Sequence, residues 1–412
     1  MSVILQRVTA AAVALAAISC SQPAESRDDP VSAAEATAAA KKAAAAVEAN
    51  ADAAQAEVTQ SGVIWTGTLG TMPITACFED RYTADGIYYY NRHLVPLRLV
   101  VIDESEPSVL AEVEGFSERN GSSWTIDSRS DDRISATWRK GNRTLPIRLS
   151  DVPVTFGEFG SVCESAAFVE PLIAGGTTSE TRVNFEGLAY TKREYNGPER
   201  LGDGDYYVAS FALDPQQPGD AAINRSLAEL LPDGSVDHAM GQCVGMSMAG
   251  GQLGYLTETF EPSHVSDGWL GVEQAGSTYC GGAHPSHYMS YAIYNRTTGE
   301  EADPSTWFKP EALEFYEFLT RADWDTKRPI AGLSAPLLDT VLAHWPQDED
   351  REDCADAARS GTGWSIGLSG DGVIFLREFP HVIFACTESV VVPWDELEPF
   401  LSKEGRAVAA SF

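Results

Sequence analysis

Positively charged residues are scarce in this chain. Its 412 residues include 29 Lys and Arg against 60 Asp and Glu, which gives a formal net charge of −31. A protein that binds nucleic acid or anionic lipid headgroups normally presents a basic patch that displaces counterions. The composition therefore argues against a nucleic-acid partner and favours cationic ones.

Long hydrophobic runs are also absent from the body of the chain. No internal stretch approaches the roughly 18 apolar residues that a membrane-spanning helix needs, so we expect this part to be soluble. Hydrophobic residues still make up 43% of the chain, which is enough for real cores and excludes wholesale disorder. The length is typical of two or three domains.

The first 19 residues are typical of a secretory signal peptide, because Arg7 precedes an apolar run that is too short to span a bilayer. The run ends in Ala17-Ile18-Ser19-Cys20, which resembles the lipobox of bacterial lipoproteins. The resemblance implies that Cys20 is acylated and holds the protein on a membrane, and Ser21 favours the periplasmic face of the outer membrane. The alternative is an ordinary cleaved signal followed by an incidental cysteine.

Residues 20–61 predict a tether between this anchor and the folded part. From Val31 to Gln60, 15 of 30 residues are Ala, and no aromatic residue occurs between Cys20 and Trp65. Such a segment favours helix but has no apolar stripe to bury. We interpret it as a semi-rigid spacer.

No C-x-x-C motif occurs, although zinc sites usually show that close spacing. Export places the chain in an oxidising compartment, and six cysteines remain of the seven once Cys20 is set aside. Three disulfides are therefore predicted, with the first pairing set by position in the chain and the other two by proximity alone. The expected pairs are Cys77 with Cys163, Cys243 with Cys280, and Cys354 with Cys386.

Residues 62–170 break into short runs of strand-forming residues separated by Gly, Asn and Asp, and several runs alternate apolar with polar residues. That period of two is typical of an antiparallel sheet with one wet face, and Arg139–Asn142 is typical of a hairpin turn. We predict a small all-β barrel or sandwich. The expected strands are 74–78, 87–90, 97–102, 110–116, 124–126, 134–138 and 145–149.

Residues 171–180 predict a linker, and residues 181–402 predict an α+β domain followed by a short tail at 403–412. Apolar residues recur at helical spacing in 221–231 and 335–345, and a last short helix is expected at 394–401. Strands are expected between and after them, at 206–213, 287–294, 373–377 and 389–392.

The stretch Tyr279–Tyr288, with its core Gly281-Gly282-Ala283-His284, and the later segment Pro380–Leu401 resemble one family. They are similar to the extracellular domain of the lysozyme-sensing anti-sigma factor RsiV and to the non-catalytic N-terminal region of the peptidoglycan deacetylase PdaC. The resemblance covers roughly residues 180–402. It implies a binding or sensing ectodomain at the cell wall that has no chemistry of its own.

Gly281, Gly282, His284 and His287 are the candidate binding residues of this region. A metal site would need a third ligand from elsewhere, such as His264 or Asp267. The interpretation that we favour has the glycines forming a bulge that His284 fastens by a ring N–H bond to a backbone carbonyl. We therefore expect no metal and no cofactor.

Two serine motifs, Gly363–Gly367 and Gly245–Ala249, resemble hydrolase nucleophile elbows, but neither is expected between a strand and a helix as that motif requires. The first serine is expected on a hairpin strand. The acidic run Asp348–Asp353 lacks the glycine of an EF-hand loop and fits the first turn of a helix. No catalytic residue is predicted.

Tyr88 and Tyr90 share one face of a predicted strand and are also candidate binding residues, since exposed tyrosines stack on sugar rings. The alternative, which we favour, is that they pack inside the protein. Glu112 and Glu114 are expected on a solvated face.

The sequence thus predicts a lipid-anchored envelope protein with a β domain and an α+β domain, which acts as a binding module for a cationic, lysozyme-like protein or a cell-wall fragment. One alternative is a hydrolase acting on wall glycan or peptide, with His284 and His287 at its centre. Another is a purely structural lipoprotein.

Overall fold

The computed structural model describes residues 59–78, 86–103, 105–114, 118–157, 160–185, 187–202, 205–250, 253–315, 330–346, 352–360 and 363–412. Within these ranges, no helix has both the length and the apolar character needed to cross a bilayer. The predicted signal peptide, Cys20 and nearly all of the tether lie outside the described residues. Residues from Val58 to Phe412 form one unit, which contains every described helix and strand.

The first eight strands form a closed antiparallel barrel. β1 and β8 close it through eleven residue pairs, from Thr59 opposite Gly157 to Leu69 opposite Ile147. Of the two predicted architectures, the structure has the barrel. The strands are β1 (Thr59–Leu69), β2 (Met72–Phe78), β3 (Gly86–Tyr90), β4 (Pro96–Val101), β5 (Val109–Glu114), β6 (Glu118–Arg129), β7 (Arg133–Lys140) and β8 (Arg143–Gly157).

Alternation along these strands sends bulky side chains into the barrel, where Trp65, Leu69, Tyr88 and Trp124 are almost wholly buried. The predicted hairpin turn joins β7 to β8, and Gly141 has the positive φ of 55° that such a two-residue turn requires.

The expected linker is the main error in the domain prediction. Helix α1 (Ala166–Ile173) and strand β9 (Thr177–Phe185) occupy most of the segment 171–180. The helix is not a spacer, because Phe168 and Leu172 are fully buried in a core shared with the outer face of the barrel. The hydroxyl of Tyr89, which points outward from β3, donates to the Phe168 carbonyl at 3.1 Å.

The second part of the unit begins with a six-stranded sheet in the order β14-β13-β12-β11-β10-β9. Helices α2 (Asp220–Glu229) and α3 (Ala239–Ala249) contribute buried residues to the same core as this sheet. The remaining strands are β10 (Leu188–Asn196), β11 (Tyr206–Leu213), β12 (Tyr255–Val265), β13 (Trp269–Tyr279) and β14 (Ser286–Asn295).

A buried ion pair fixes the start of α2. Asp220 and Arg296 have almost no exposed side chain, and they join through two hydrogen bonds of 2.9 and 2.8 Å. Asp220 also accepts the backbone N–H groups of Gln216 and Gln217, while Arg296 donates to the Ser266 carbonyl. Burial acts to raise the pKa of Asp220, but the bonds from Arg296 and from the two backbone amides outweigh it, so the pKa lies below its ordinary value.

A five-stranded sheet in the order β15-β16-β17-β18-β19 completes the unit around a second core. Its strands are β15 (Leu313–Phe315), β16 (Ile330–Leu333), β17 (Trp364–Leu368), β18 (Gly372–Arg377) and β19 (Glu388–Pro393). Its helices are α4 (Ala335–Ala343), α5 (Glu352–Ser360), α6 (Trp394–Leu397) and α7 (Lys403–Ala409).

Helix α7 corrects the expected tail at 403–412. Val408 is buried in the second core, and a Cβ on Gly405 would lie 2.0 Å from the Trp307 carbonyl oxygen. The fold class is an N-terminal β barrel followed by an α+β region, as predicted.

The six cysteines form the three expected disulfides, Cys77–Cys163, Cys243–Cys280 and Cys354–Cys386. The first ties barrel strand β2 to the residues just before α1. The second ties α3 to the end of β13, and the third ties α5 to the segment before β19.

Candidate histidine platform

Three histidine rings meet at the surface of the α+β region. His381 stacks with both His284 and His287, with ring centroids 5.4 Å apart in each pair and interplanar angles of 7° and 16°. Two exposed aliphatic residues, Val382 and Ile383, come directly after His381. We call these five residues the histidine platform.

One side of the platform is the turn between β13 and β14. Cys280 is bonded to α3, and Gly281 and Gly282 then take φ values of 100° and 98°, which side chains with a Cβ rarely adopt. The Tyr279 hydroxyl donates to the Gly282 carbonyl at 2.8 Å. His284 Nδ1 lies 3.0 Å from the carbonyl oxygen of the next residue, Pro285.

The other side is a short 3₁₀ helix, His381–Cys386, which ends at the disulfide to α5. Val382 is 84% exposed and Ile383 is 41% exposed, while the Phe384 ring packs 5.2 Å from the His287 ring. Each side of the platform is therefore tied to a helix by a disulfide within a few residues.

The platform does not have the geometry of a metal centre. Its imidazole planes are nearly parallel, and no group of three or more His, Cys, Asp or Glu in the described residues could hold a metal ion. Neither expected third ligand takes part. His264 lies on β12 with its ring 5.0 Å from Phe412, and Asp267 accepts from Gln217.

The two serine motifs do not form nucleophile elbows. Ser247 lies in the interior of α3, is fully buried, and has its Oγ against the backbone at Gly254. Ser365 lies on β17, where its Oγ accepts the Tyr291 N–H at 3.2 Å, and a short turn leads on to β18. The position of Ser365 agrees with the expected hairpin.

The barrel interior contains a buried carboxylate that the sequence had placed on a solvated face. Glu112 on β5 is 3% exposed. Its Oε1 accepts the Tyr88 hydroxyl at 2.5 Å and the indole N–H groups of Trp138 and Trp124 at 2.6 and 3.2 Å. Asn120 donates to Oε2 at 3.0 Å. Four neutral donors therefore solvate this charge inside the barrel.

Tyr88 cannot stack on a sugar ring, because its side chain is fully buried between Glu112 and the Trp124 ring. Burial and the negative charge of Glu112 hold its pKa well above the ordinary value. Tyr90 is half-buried, with its ring 5.6 Å from that of Tyr88, and burial raises its pKa. The structure thus buries Tyr88 inside the barrel, and the Tyr90 ring packs against it.

A second polar network, not expected from the sequence, lies on the six-stranded sheet. Glu258 is buried and accepts from Gln274 at 2.6 Å and from the Tyr288 hydroxyl at 2.9 Å. Tyr288 crosses over Gly276, where a Cβ would lie 2.3 Å from the phenol ring. The glycine is the one signal that could have indicated this close approach.

The cavities among the described residues include two that lie away from the platform. One, of about 180 Å³, is lined among others by Trp65, Phe78 and Arg129, with the guanidinium 5.8 Å from each ring centroid. The other, of about 620 Å³, is open and is lined among others by His93 and Arg200. Arg200 donates to carbonyls at the end of α1, including that of Leu172, so its role there is to cap the helix.

No family model matches this chain, and no curated protein matches it. Solved structures of two DUF3298 family proteins do. One, from Pseudomonas aeruginosa PAO1, is 12% identical with a TM-score of 0.31, covering 56% of this chain and 96% of that one. The other, from Bacteroides fragilis NCTC 9343, is 10% identical with a TM-score of 0.30, covering 56% and 93%. Similarity at this level supports no argument about function.

Proposed function

We propose that this protein is an exported, lipid-anchored envelope protein that acts as a non-catalytic binding module at the cell wall, with the histidine platform as its contact surface. Acylated Cys20 holds it at the periplasmic face of the outer membrane. The resemblance of Tyr279–Tyr288 to the RsiV and PdaC ectodomains supports this role, because these residues form one side of the platform.

The observation that carries the proposal is the way the platform is built. Aliphatic side chains are normally buried, and Val382 is the most exposed of the large hydrophobic residues described. It lies beside stacked imidazoles on a segment that ends at a disulfide. Rigid exposed apolar and aromatic groups lose little conformational entropy on binding, which is a property of contact surfaces.

The partner that we propose is a cationic protein of the lysozyme kind. The formal charge of −31 attracts such a partner over a distance, and the platform supplies the apolar contact. Because surface charges are screened by salt, the association rate is expected to fall as the ionic strength rises.

Calorimetric titration of the full chain carrying Cys20→Ser with a lysozyme at low ionic strength tests this proposal. We expect binding that weakens in salt and that Val382→Asp lowers by about tenfold, since a charge then enters an apolar contact. Val95→Asp is the matched control, because Val95 is also an exposed valine in a loop but belongs to the barrel. Absence of binding would contradict the proposed partner. An equal loss of affinity in both variants would contradict the histidine platform as the contact surface.

The anchor and the absence of chemistry need separate experiments. Metabolic labelling with palmitate should mark the wild-type chain and not Cys20→Ser, and membrane fractionation should then find the variant in the soluble fraction. Incubation with purified peptidoglycan should release no fragments. Turnover that disappears in His284→Ala would contradict the non-catalytic role and support a hydrolase.

A further inference from the structure

Strand β9 forms one edge of the six-stranded sheet. It pairs with β10 through nine unbroken residue pairs, and among the described strands it has no neighbour on its other side. Every residue from Thr177 to Arg182 is exposed. Natural proteins usually protect such an edge with Pro, charged side chains, a bulge or a very short strand, and of these β9 has only the oppositely charged Glu180 and Arg182.

The hairpin geometry shows which residues direct their backbone groups outward. Only two residues separate Phe185 from its partner Leu188, so this closing pair exchanges backbone hydrogen bonds, and bonded pairs then alternate along the ladder. The odd-numbered residues of β9 therefore bond to β10. The residues whose N–H and C=O groups point away from the sheet are Thr178, Glu180, Arg182 and Asn184.

We propose that two copies of this chain associate through antiparallel pairing of their β9 edges, with the two-fold axis at Thr181. In this register Glu180 of each copy lies opposite Arg182 of the other, and both are outward-bonding residues. If the two-fold axis lay one residue away from Thr181, it would place Glu180 opposite Glu180, or Arg182 opposite Arg182. Opposite charges across strands stabilise pairing and like charges oppose it, so the sequence of β9 favours this one register.

The charged side chains are already held in place for this contact. Glu180 accepts from Arg193 at 3.0 Å and Arg182 pairs with Asp214, yet both keep about half of their side-chain surface exposed. A two-fold pairing uses both edges at once and leaves no further β9 edge free, so association stops at two copies. Strand pairing alone buries less than the roughly 1,200 Å² of a stable interface, so the dimer is reversible.

Cysteine cross-linking of the full chain, in a Cys20→Ser background, tests the register. At the axis, Thr181 forms a non-bonded pair with its own copy, with about 4.5 Å between Cα atoms, which suits a disulfide. Thr181→Cys should therefore yield an oxidised dimer on non-reducing gels. Thr177→Cys is the matched control, since it is equally exposed but lies about 26 Å from its own copy. Equal yields, or no cross-linking in either variant, would overturn the proposal.

Charge reversal tests the same contact without an added thiol. By sedimentation equilibrium, Glu180→Arg and Arg182→Glu should each weaken the dimer by about tenfold, because two cross-strand pairs become repulsive. The double swap restores opposite pairs and should return the affinity to near that of the wild type. Glu229→Arg, on the exposed face of α2, is the control for net charge. A dimer whose affinity is unchanged by the single reversals would contradict the pairing. A wild-type chain that stays monomeric at every concentration would contradict it as well.

Discussion

The barrel interior and the histidine platform differ in how their polar side chains are exposed to solvent. Around Glu112, four donors from other barrel residues converge on one carboxylate, and all of these contacts are closed off from solvent or nearly so. On the platform, three imidazoles stack on one another beside Val382, which is 84% exposed. The first arrangement stabilises a fold, and the second leaves side-chain surface available to another molecule.

The largest effect should come from removing the carboxylate at the centre of the barrel. Glu112→Ala leaves two indole N–H groups and the Tyr88 hydroxyl without their acceptor, at about 1–3 kcal/mol for each buried donor. We expect the free energy of unfolding to fall by about 4 kcal/mol or more in urea titrations. Glu112→Gln keeps one oxygen as acceptor for the three donors, so its free energy of unfolding should fall by less. If both substitutions lowered the free energy of unfolding by the same small amount, the carboxylate would not be the group that organises the barrel interior.

The disulfide beside the platform should rank second. Replacing Cys354 and Cys386 together by Ser opens a loop with a sequence separation of 32 residues, which corresponds to about 3.7 kcal/mol in the chain-entropy model. Unfolding in denaturant measures this loss. Partner binding should weaken in addition, because the 3₁₀ helix carrying His381 is then no longer tied to α5. Binding that survives unchanged would show that the platform needs no such tie.

A third experiment compares Glu112 with Asp220, a buried carboxylate that has a cation as its partner. Asp220→Asn leaves Arg296 buried without its counter-charge and should cost about 3 kcal/mol at neutral pH. Because the folded pKa of Asp220 is lowered, its contribution is complete above the unfolded pKa of about 3.9 and is lost as the pH falls towards the folded value. The difference between wild type and variant should therefore shrink in acid. A difference independent of pH would contradict the ion pair.

The smallest effect on stability should come from the platform itself. His381→Ala removes an exposed ring that contacts two other histidines, and such surface changes usually lie within about 0.5 kcal/mol. Thermal unfolding should be almost unchanged, whereas partner binding should weaken. A large loss of stability would mean that the imidazole stack is part of the core and would weaken the argument that it is a contact surface.

Much of the fold was predictable from local patterns. Each of the seven expected barrel runs overlaps a strand, and several of them show the alternation of apolar and polar residues that is the signature of a sheet with one buried face. The Cys77–Cys163 pair followed from its position in the chain and the other two disulfides from proximity in sequence. Helices α2 and α4 followed from helical spacing.

The failures have a common physical cause, which is burial or exposure that residue type does not reveal. The sequence of β9 predicts a linker because both faces of this strand are polar, so it shows no period of two. Glu112 was placed in solvent because its donors come from three other strands. His381 was missed as a platform residue because it lies almost 100 positions beyond His284 and meets it only through the packing of the two sheets.

The disulfide between Cys77 and Cys163 has a mechanical consequence for a protein that is pulled from its N-terminal end. Tension entering at Thr59 would first strip β1 from its neighbours, but at Cys77 the load would pass through the sulfur bridge to Cys163. The segment between them, with a sequence separation of 86, would be bypassed, so about 300 Å of contour length would not be stretched. Most of the barrel would therefore carry no tension while the remainder of the chain bears the force.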